Sequence, residues 1–209
     1  LSDAVGIPYA SDSRIIDFYT NGVYQGTYQM CQKIDVGKNT LMPDIDDEDY
    51  LDTATGGVKS DFSFVTEIDS SPAADDFHFS VSNGNNLTMK APELASDDPN
   101  YNAVRSYVRN KYNAMYNNLT SDNVNNYIDV NSLAKVYLIN ELGKNWDSGA
   151  SSFYFTYKPD ENGVYKFFAS PVWDYDNSLV NARGVSSDLN RMGINDYELP
   201  SGWFSTKKN

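Results

Sequence analysis

Three aspartates have the side chains and spacing for metal-assisted chemistry. Asp147 sits in Asn145-Trp146-Asp147, and Asp174 and Asp176 close the segment Ser170-Pro171-Val172-Trp173-Asp174-Tyr175-Asp176. Carboxylates are the hard oxygen ligands that Mg²⁺ or Mn²⁺ prefers, and such an ion keeps phosphate and water in its remaining positions. A helix pattern feeds Asp147, and two β-prone runs around a turn at Pro159 to Gly163 separate it from the other two. A hairpin brings its ends together, so residues just before and just after it become neighbours. Tyr175 would alternate outward in an extended segment, leaving Asp174 and Asp176 pointing the same way. Three carboxylates converging on a metal-bound phosphate point to phosphoryl transfer.

Composition narrows the setting. The chain has 209 residues, 40% of them hydrophobic and 22% charged, as in globular proteins that bury a real core. A net charge of −13 argues against nucleic acid, which needs a basic footprint. It is compatible with a nucleotide whose bound cation supplies the positive charge. One cysteine, Cys31, rules out an internal disulfide, and one histidine, His78, leaves little scope for histidine triads or histidine metal sites. No run is apolar for the roughly 18 residues that a spanning helix needs, so no membrane partner is expected. Abundant tyrosine, asparagine and aspartate with so little cysteine suit an extracellular or cell-surface bacterial protein.

The elements that must position the aspartates are legible in outline. Arg14 to Tyr19 and Thr27 to Ile34 read as a hairpin with a long connection around Asn21-Gly22 and Gly26. Alternation in its second strand puts Gln32 on one face, and Cys31 and Lys33 on the other. Further strands are predicted at Ser63 to Ile68, Asp76 to Val81 and Leu87 to Ala91. From Asp98, read as a cap, the period becomes helical through Val104, Val108, Tyr112, Met115 and Leu119. A second helix runs from a cap at Asp129 to a stop at Gly143. Ser152 to Tyr157 and Val164 to Ala169 form the hairpin between the aspartates. The acidic stretch Asp44 to Asp49 lacks the glycine and terminal glutamate of a calcium loop and reads as solvated. His78 is expected to face outward on its strand, and Cys31 to be a small core residue.

The order helix, loop aspartate, hairpin, aspartate is that of the C-terminal half of a protein-kinase-like active site. At these residues the chain resembles the CotH kinase family, spore-coat-protein-H-like atypical kinases also found in secreted and cellulosome-associated bacterial proteins. The resemblance rests on Tyr19 to Tyr28 around Asn21-Gly22, on Asn145-Trp146-Asp147 with Phe153-Tyr154-Phe155, and on Pro171 to Asp176. It implies an α+β, protein-kinase-like fold with a strand-rich N-lobe of antiparallel sheet (1–95) and a mixed helix and hairpin C-lobe (96–209). Together these form one domain, with truncation expected at both ends. It further implies binding of ATP with Mg²⁺ or Mn²⁺, Ca²⁺ being an alternative, and phosphate transfer to a protein acceptor.

Carried over residue by residue, the resemblance makes Asp147 the catalytic aspartate and Asp174 a metal ligand, with Asp176 a second candidate. The chain departs from the family pattern twice. Gln32 stands where an acidic residue is usual, and Ser152 stands where asparagine is usual, although its hydroxyl can still ligate a cation. Lys33 and Lys90 are the candidates for the phosphate contact, Glu67 for a carboxylate partner, and Trp173 for a core anchor or nucleotide contact. Other readings of the same residues are an inactive binding-only descendant, a carbohydrate- or protein-binding module, and a glycosidase using a carboxylate pair.

Overall fold

The computed structural model describes residues 1–145, 151–176 and 178. Asp147 therefore lies outside the described residues. The chain is an α+β protein whose centre is a five-stranded antiparallel sheet. Its strands are β5 (Phe64–Ile68), β6 (His78–Ser80), β7 (Asn86–Ala91), β8 (Phe153–Pro159) and β9 (Tyr165–Val172), in the order β6-β7-β5-β8-β9. Each lies within a few residues of its predicted position, because β-branched and aromatic runs bounded by turn residues mark strands well. Strands from both sides of residue 95 share this sheet, with β5 hydrogen-bonded to β7 and to β8.

The sheet separates two apolar layers. On one side, helix α1 (Tyr101–Asn117) buries Val104, Val108, Tyr112 and Met115. Helix α2 (Val130–Gly143) adds Val136 and Ile139 to the same cluster, which includes Phe64, Ile68, Phe155, Tyr157 and Phe167. Tyr112 meets Phe155 and Phe167 edge-on, with ring centroids 6.1 and 6.2 Å away. Each large apolar side chain buried there contributes about 1.5–3 kcal/mol before entropy is counted. On the other side a smaller cluster joins Leu41, Met42, Ile45, Val65, Ala91 and Tyr154, with Trp173 and Tyr9 packed against it. All of β5 is buried because both layers press on it.

Both helices differ from expectation at an end. The cap of α1 is Asn100; Asp98 instead accepts from the Asn100 backbone N–H at 2.7 Å, forming the turn before the helix. Leu119 lies past the end of α1 and is exposed. Asp129 does cap α2, accepting from Ser132 N–H at 2.6 Å. Gly143 is the last helical residue and is buried, and the left-handed stop is Lys144 at φ 48°. A Cβ at 143 would meet Tyr175 Cδ1 and Ser178 Oγ at 3.5 Å, ordinary van der Waals contact, so the site has room for a methyl group and little more.

The first hairpin, β1 (Ser13–Thr20) and β2 (Val23–Cys31), forms a separate two-stranded sheet. Its connection is the two residues Asn21-Gly22, at φ 52° and 79°, rather than a long loop. Positive φ at both positions is what a type I′ turn requires. It sets Thr20 opposite Val23 and Tyr19 opposite Tyr24, and a bulge at Gln25 then shifts the register so that Phe18 pairs with Gly26. The strand ends at Cys31, so Gln32 and Lys33 fall beyond it. Cys31 is exposed, not a core residue, because this hairpin stands outside both apolar layers. Strands β3 (Leu51–Asp52) and β4 (Gly57–Val58) form a minor third sheet.

The acidic stretch is structural rather than merely solvated. Ile45 within it is buried, Asp44 receives Lys158 at 2.7 Å and the Tyr9 hydroxyl at 2.6 Å, and Asp49 receives Lys59 at 3.0 Å. His78 is half-buried, its Nδ1 3.0 Å from the Asp76 carbonyl. Among the described residues no helix is long and apolar enough to cross a membrane.

Candidate active site

Two bulges shape the sheet face opposite the helices. Between β5 and β7, Val65 pairs with Ala91 and Thr66 with Met89, which leaves Lys90 as the extra residue. Between β8 and β9, Phe153 pairs with Val172 and Phe155 with Ala169, so Ser170-Pro171 bulge opposite Tyr154. Proline has no N–H to give to a ladder and suits such a position. Bulges bend a strand locally and re-aim its side chains.

The Lys90 ammonium lies 2.9 Å from the Glu67 carboxylate, with side-chain exposures of 29% and 9%. Tyr154 is the cross-strand partner of Glu67. Burial first, then the neighbouring Glu67 carboxylate, hold the Tyr154 phenol well above its ordinary pKa, so it stays protonated. The charges of Asp69 and Asp174 push in the same direction. Asp69 accepts from Thr88 at 3.4 Å and from Ser151 at 3.5 Å.

Asp174 follows the end of β9 in a left-handed conformation, φ 56°, and Ser152 just before β8 has φ 54°. Such backbone costs a non-glycine residue about 1–3 kcal/mol and persists only where surrounding contacts enforce it. Here Ser152 Oγ reaches Asp174 Oδ2 at 3.3 Å, and Asn145 Nδ2 lies 3.5 Å from the Asp174 carbonyl. The positive φ also ends the extended run, and Tyr175 does not face outward as predicted, although Asp174 and Asp176 do border the same cleft. Tyr175 turns inward and donates its hydroxyl to Asn140 Oδ1 on α2.

Asp174 and Asp176 are exposed and line one cleft of about 570 Å³. Ser13, Gln29 and Cys31 at the base of the β1–β2 hairpin also line it, and Trp173 and Tyr175 supply aromatic surface. This is the size and mixture of apolar and polar lining that small-molecule sites show.

The candidates thus separate. Lys90 and Glu67 are brought together, as are Ser152 and Asp174; Asp176 shares the cleft, and Trp173 both anchors the smaller core and lines the cleft. Lys33 is 82% exposed and pairs only loosely with Asp35, at 3.8 Å. Gln32 is exposed and held through its backbone, its N–H donating to Asp12 and its carbonyl accepting from Ser11. Among the described residues no three histidine, cysteine or acidic side chains are grouped to hold a metal. Tyr154, Asn145 and Asn140 were not singled out from sequence for these contacts. Only the strand register reveals the first, and only the approach of α2 to the end of β9 reveals the other two.

A family model described as CotH kinase protein matches residues 4–206, nearly the whole length. The chain belongs to the CotH kinase family. No curated protein and no solved structure gives a significant match. The family match covers every segment of this CotH kinase chain on which the resemblance rested, from the Asn21-Gly22 hairpin to Asp176.

Proposed function

We propose that the cleft binds ATP with Mg²⁺ or Mn²⁺ and that the chain transfers the γ-phosphoryl group to a protein acceptor in an extracellular bacterial setting. The scaffold on this reading is kinase-like. The observation that carries it is Asp174, the aspartate of the family motif, held by Ser152 on the wall of the cleft, with the Lys90–Glu67 ion pair on the same sheet face. In phosphoryl transfer the protein mainly positions groups and neutralises charge. Lys90, oriented by Glu67, is suited to a phosphate oxygen. Asp174 with Ser152, and Asp176 beside them, would hold the cation that offsets the triphosphate charge in a chain of net charge −13. Trp173 offers a ring face to the nucleotide. Asp147, assigned from the family motif, would accept the proton of the acceptor hydroxyl as its oxygen bonds to the γ-phosphorus and the bond to ADP breaks.

Isothermal titration and thermal unfolding with ATP, with and without Mg²⁺, test this directly. Metal-dependent stabilisation by ATP is expected, lost in Asp174→Ala and retained in Asp147→Ala, which should lack only phosphate transfer. Stabilisation by oligosaccharides but not by nucleotide would overturn the reading in favour of a carbohydrate site.

A further inference from the structure

Asn145 is the last described residue before the segment 146–150. It is 4% exposed, yet its Oδ1 has no hydrogen-bond partner among the described residues. A buried amide oxygen without a donor is uncommon, and where it occurs a bound water or a functional constraint usually accounts for it. That residue borders a small cavity between α2, the start of β8 and the end of β9, with room for about one water molecule. Asn140, Ser152 and Tyr175 are among the other polar residues that line it. The same three residues are already engaged at the site: Tyr175 donates to Asn140, and Ser152 contacts the Asp174 carboxylate. Meanwhile Asn145 Nδ2 faces the Asp174 carbonyl, and its backbone N–H donates to the Asn140 carbonyl at 3.3 Å.

We propose that Asn145 is a positioning residue: its Nδ2 holds the carbonyl of the left-handed Asp174, while its Oδ1 accepts from one water kept in the cavity. The end of α2 and the turn bearing Asp174 are thereby fixed to each other at the point where the chain enters residues 146–150. A primary amide suits this task because it alone offers a donor and an acceptor from one planar group of this length. Asn145→Asp keeps the shape but replaces the donor with an acceptor aimed at a carbonyl.

The consequence for metal and nucleotide rests on the function proposed above; the geometric part does not. Hydrogen exchange by mass spectrometry on the whole chain separates them. In Asn145→Asp, amides of residues 173–176 should exchange about tenfold faster than in the wild type, while those of β5 are unchanged. Val108→Ala, in the helix-facing core and away from the cavity, serves as a control of lowered stability and should not accelerate that segment selectively. Asn145→Ser, smaller and uncharged, should show the same local effect if Asn145→Asp does not fold. Equal exchange in wild type and variant, or equal acceleration in Val108→Ala, overturns the proposal. So does a high-resolution crystal structure with no water against Oδ1. With Mg²⁺ and ATP as probes, Asn145→Asp should raise the Mg²⁺ concentration for half-maximal ATP binding about tenfold. If the wild type binds no ATP, the functional reading fails, and the exchange result still decides the role of Asn145.

Discussion

Replacing Lys90 with methionine keeps an unbranched side chain one atom shorter and removes its charge. At 2.9 Å and an effective dielectric of about 20, the Lys90–Glu67 attraction is about 6 kcal/mol, a ceiling before desolvation is counted. Lys90 retains 29% side-chain exposure, so water screens part of this, whereas Glu67 at 9% is largely out of water. Losing one partner of a fully buried pair costs about 3–5 kcal/mol, most of it from the charge left behind. Glu67 keeps its cross-strand neighbour Tyr154, whose protonated phenol limits the penalty. The expected loss is therefore about 2 kcal/mol, seen as a fall in Tm of about 4–8 °C for a chain of this size. Urea unfolding followed by tryptophan fluorescence measures it directly. Adding Glu67→Gln should recover about 1 kcal/mol, since the amide no longer needs a counter-charge. Lys33→Met, at an 82% exposed position, should change neither stability nor ATP affinity. A Lys90→Met protein within about 0.5 kcal/mol of wild type, or strictly additive double-mutant effects, would refute the reasoning.

Three further outcomes are expected. Burial opposes ionisation of Asp44, but hydrogen bonds from Lys158 and Tyr9 outweigh it and lower its pKa below the ordinary 3.8. The stability this contributes is present above that value and lost as pH falls through the folded pKa; urea midpoints of wild type and Asp44→Asn should converge in acid. Cys31 is exposed on the cleft wall, so iodoacetamide labelling should slow when Mg²⁺ and ATP are added, and undiminished labelling at saturating nucleotide would place the ligand elsewhere. Gly143→Ala should be neutral or stabilise by up to about 1 kcal/mol, because its Cβ meets only ordinary 3.5 Å contacts, whereas Gly143→Val should displace Tyr175 and weaken metal-dependent ATP binding.

Local chemistry determined what the sequence could reveal. The five central strands, both helices, the Asp129 cap and the turn between β8 and β9 follow from side-chain period and turn residues, which act over a few positions. The motif segments around Asp147 and Asp174 likewise identified the family, which the match over residues 4–206 shows. Exposure was harder to read. The β1–β2 hairpin has the pattern of a core element, yet nothing among the two apolar layers covers it, and Cys31 and Lys33 are left in solvent. A choice between two lysines also could not be made from spacing, because the bulge that carries Lys90 to Glu67 exists only once β5 and β7 are paired. The same holds for Tyr154, whose neighbours come from register, and for Asn145, whose neighbours come from the packing of α2 against the end of β9. Side-chain period and motif segments were enough to place most elements and to name the family. Which lysine meets Glu67, which tyrosine lies across from it and which amide meets Asp174 came only with the folded chain, because those contacts join residues far apart in sequence and depend on strand pairing that no local pattern encodes.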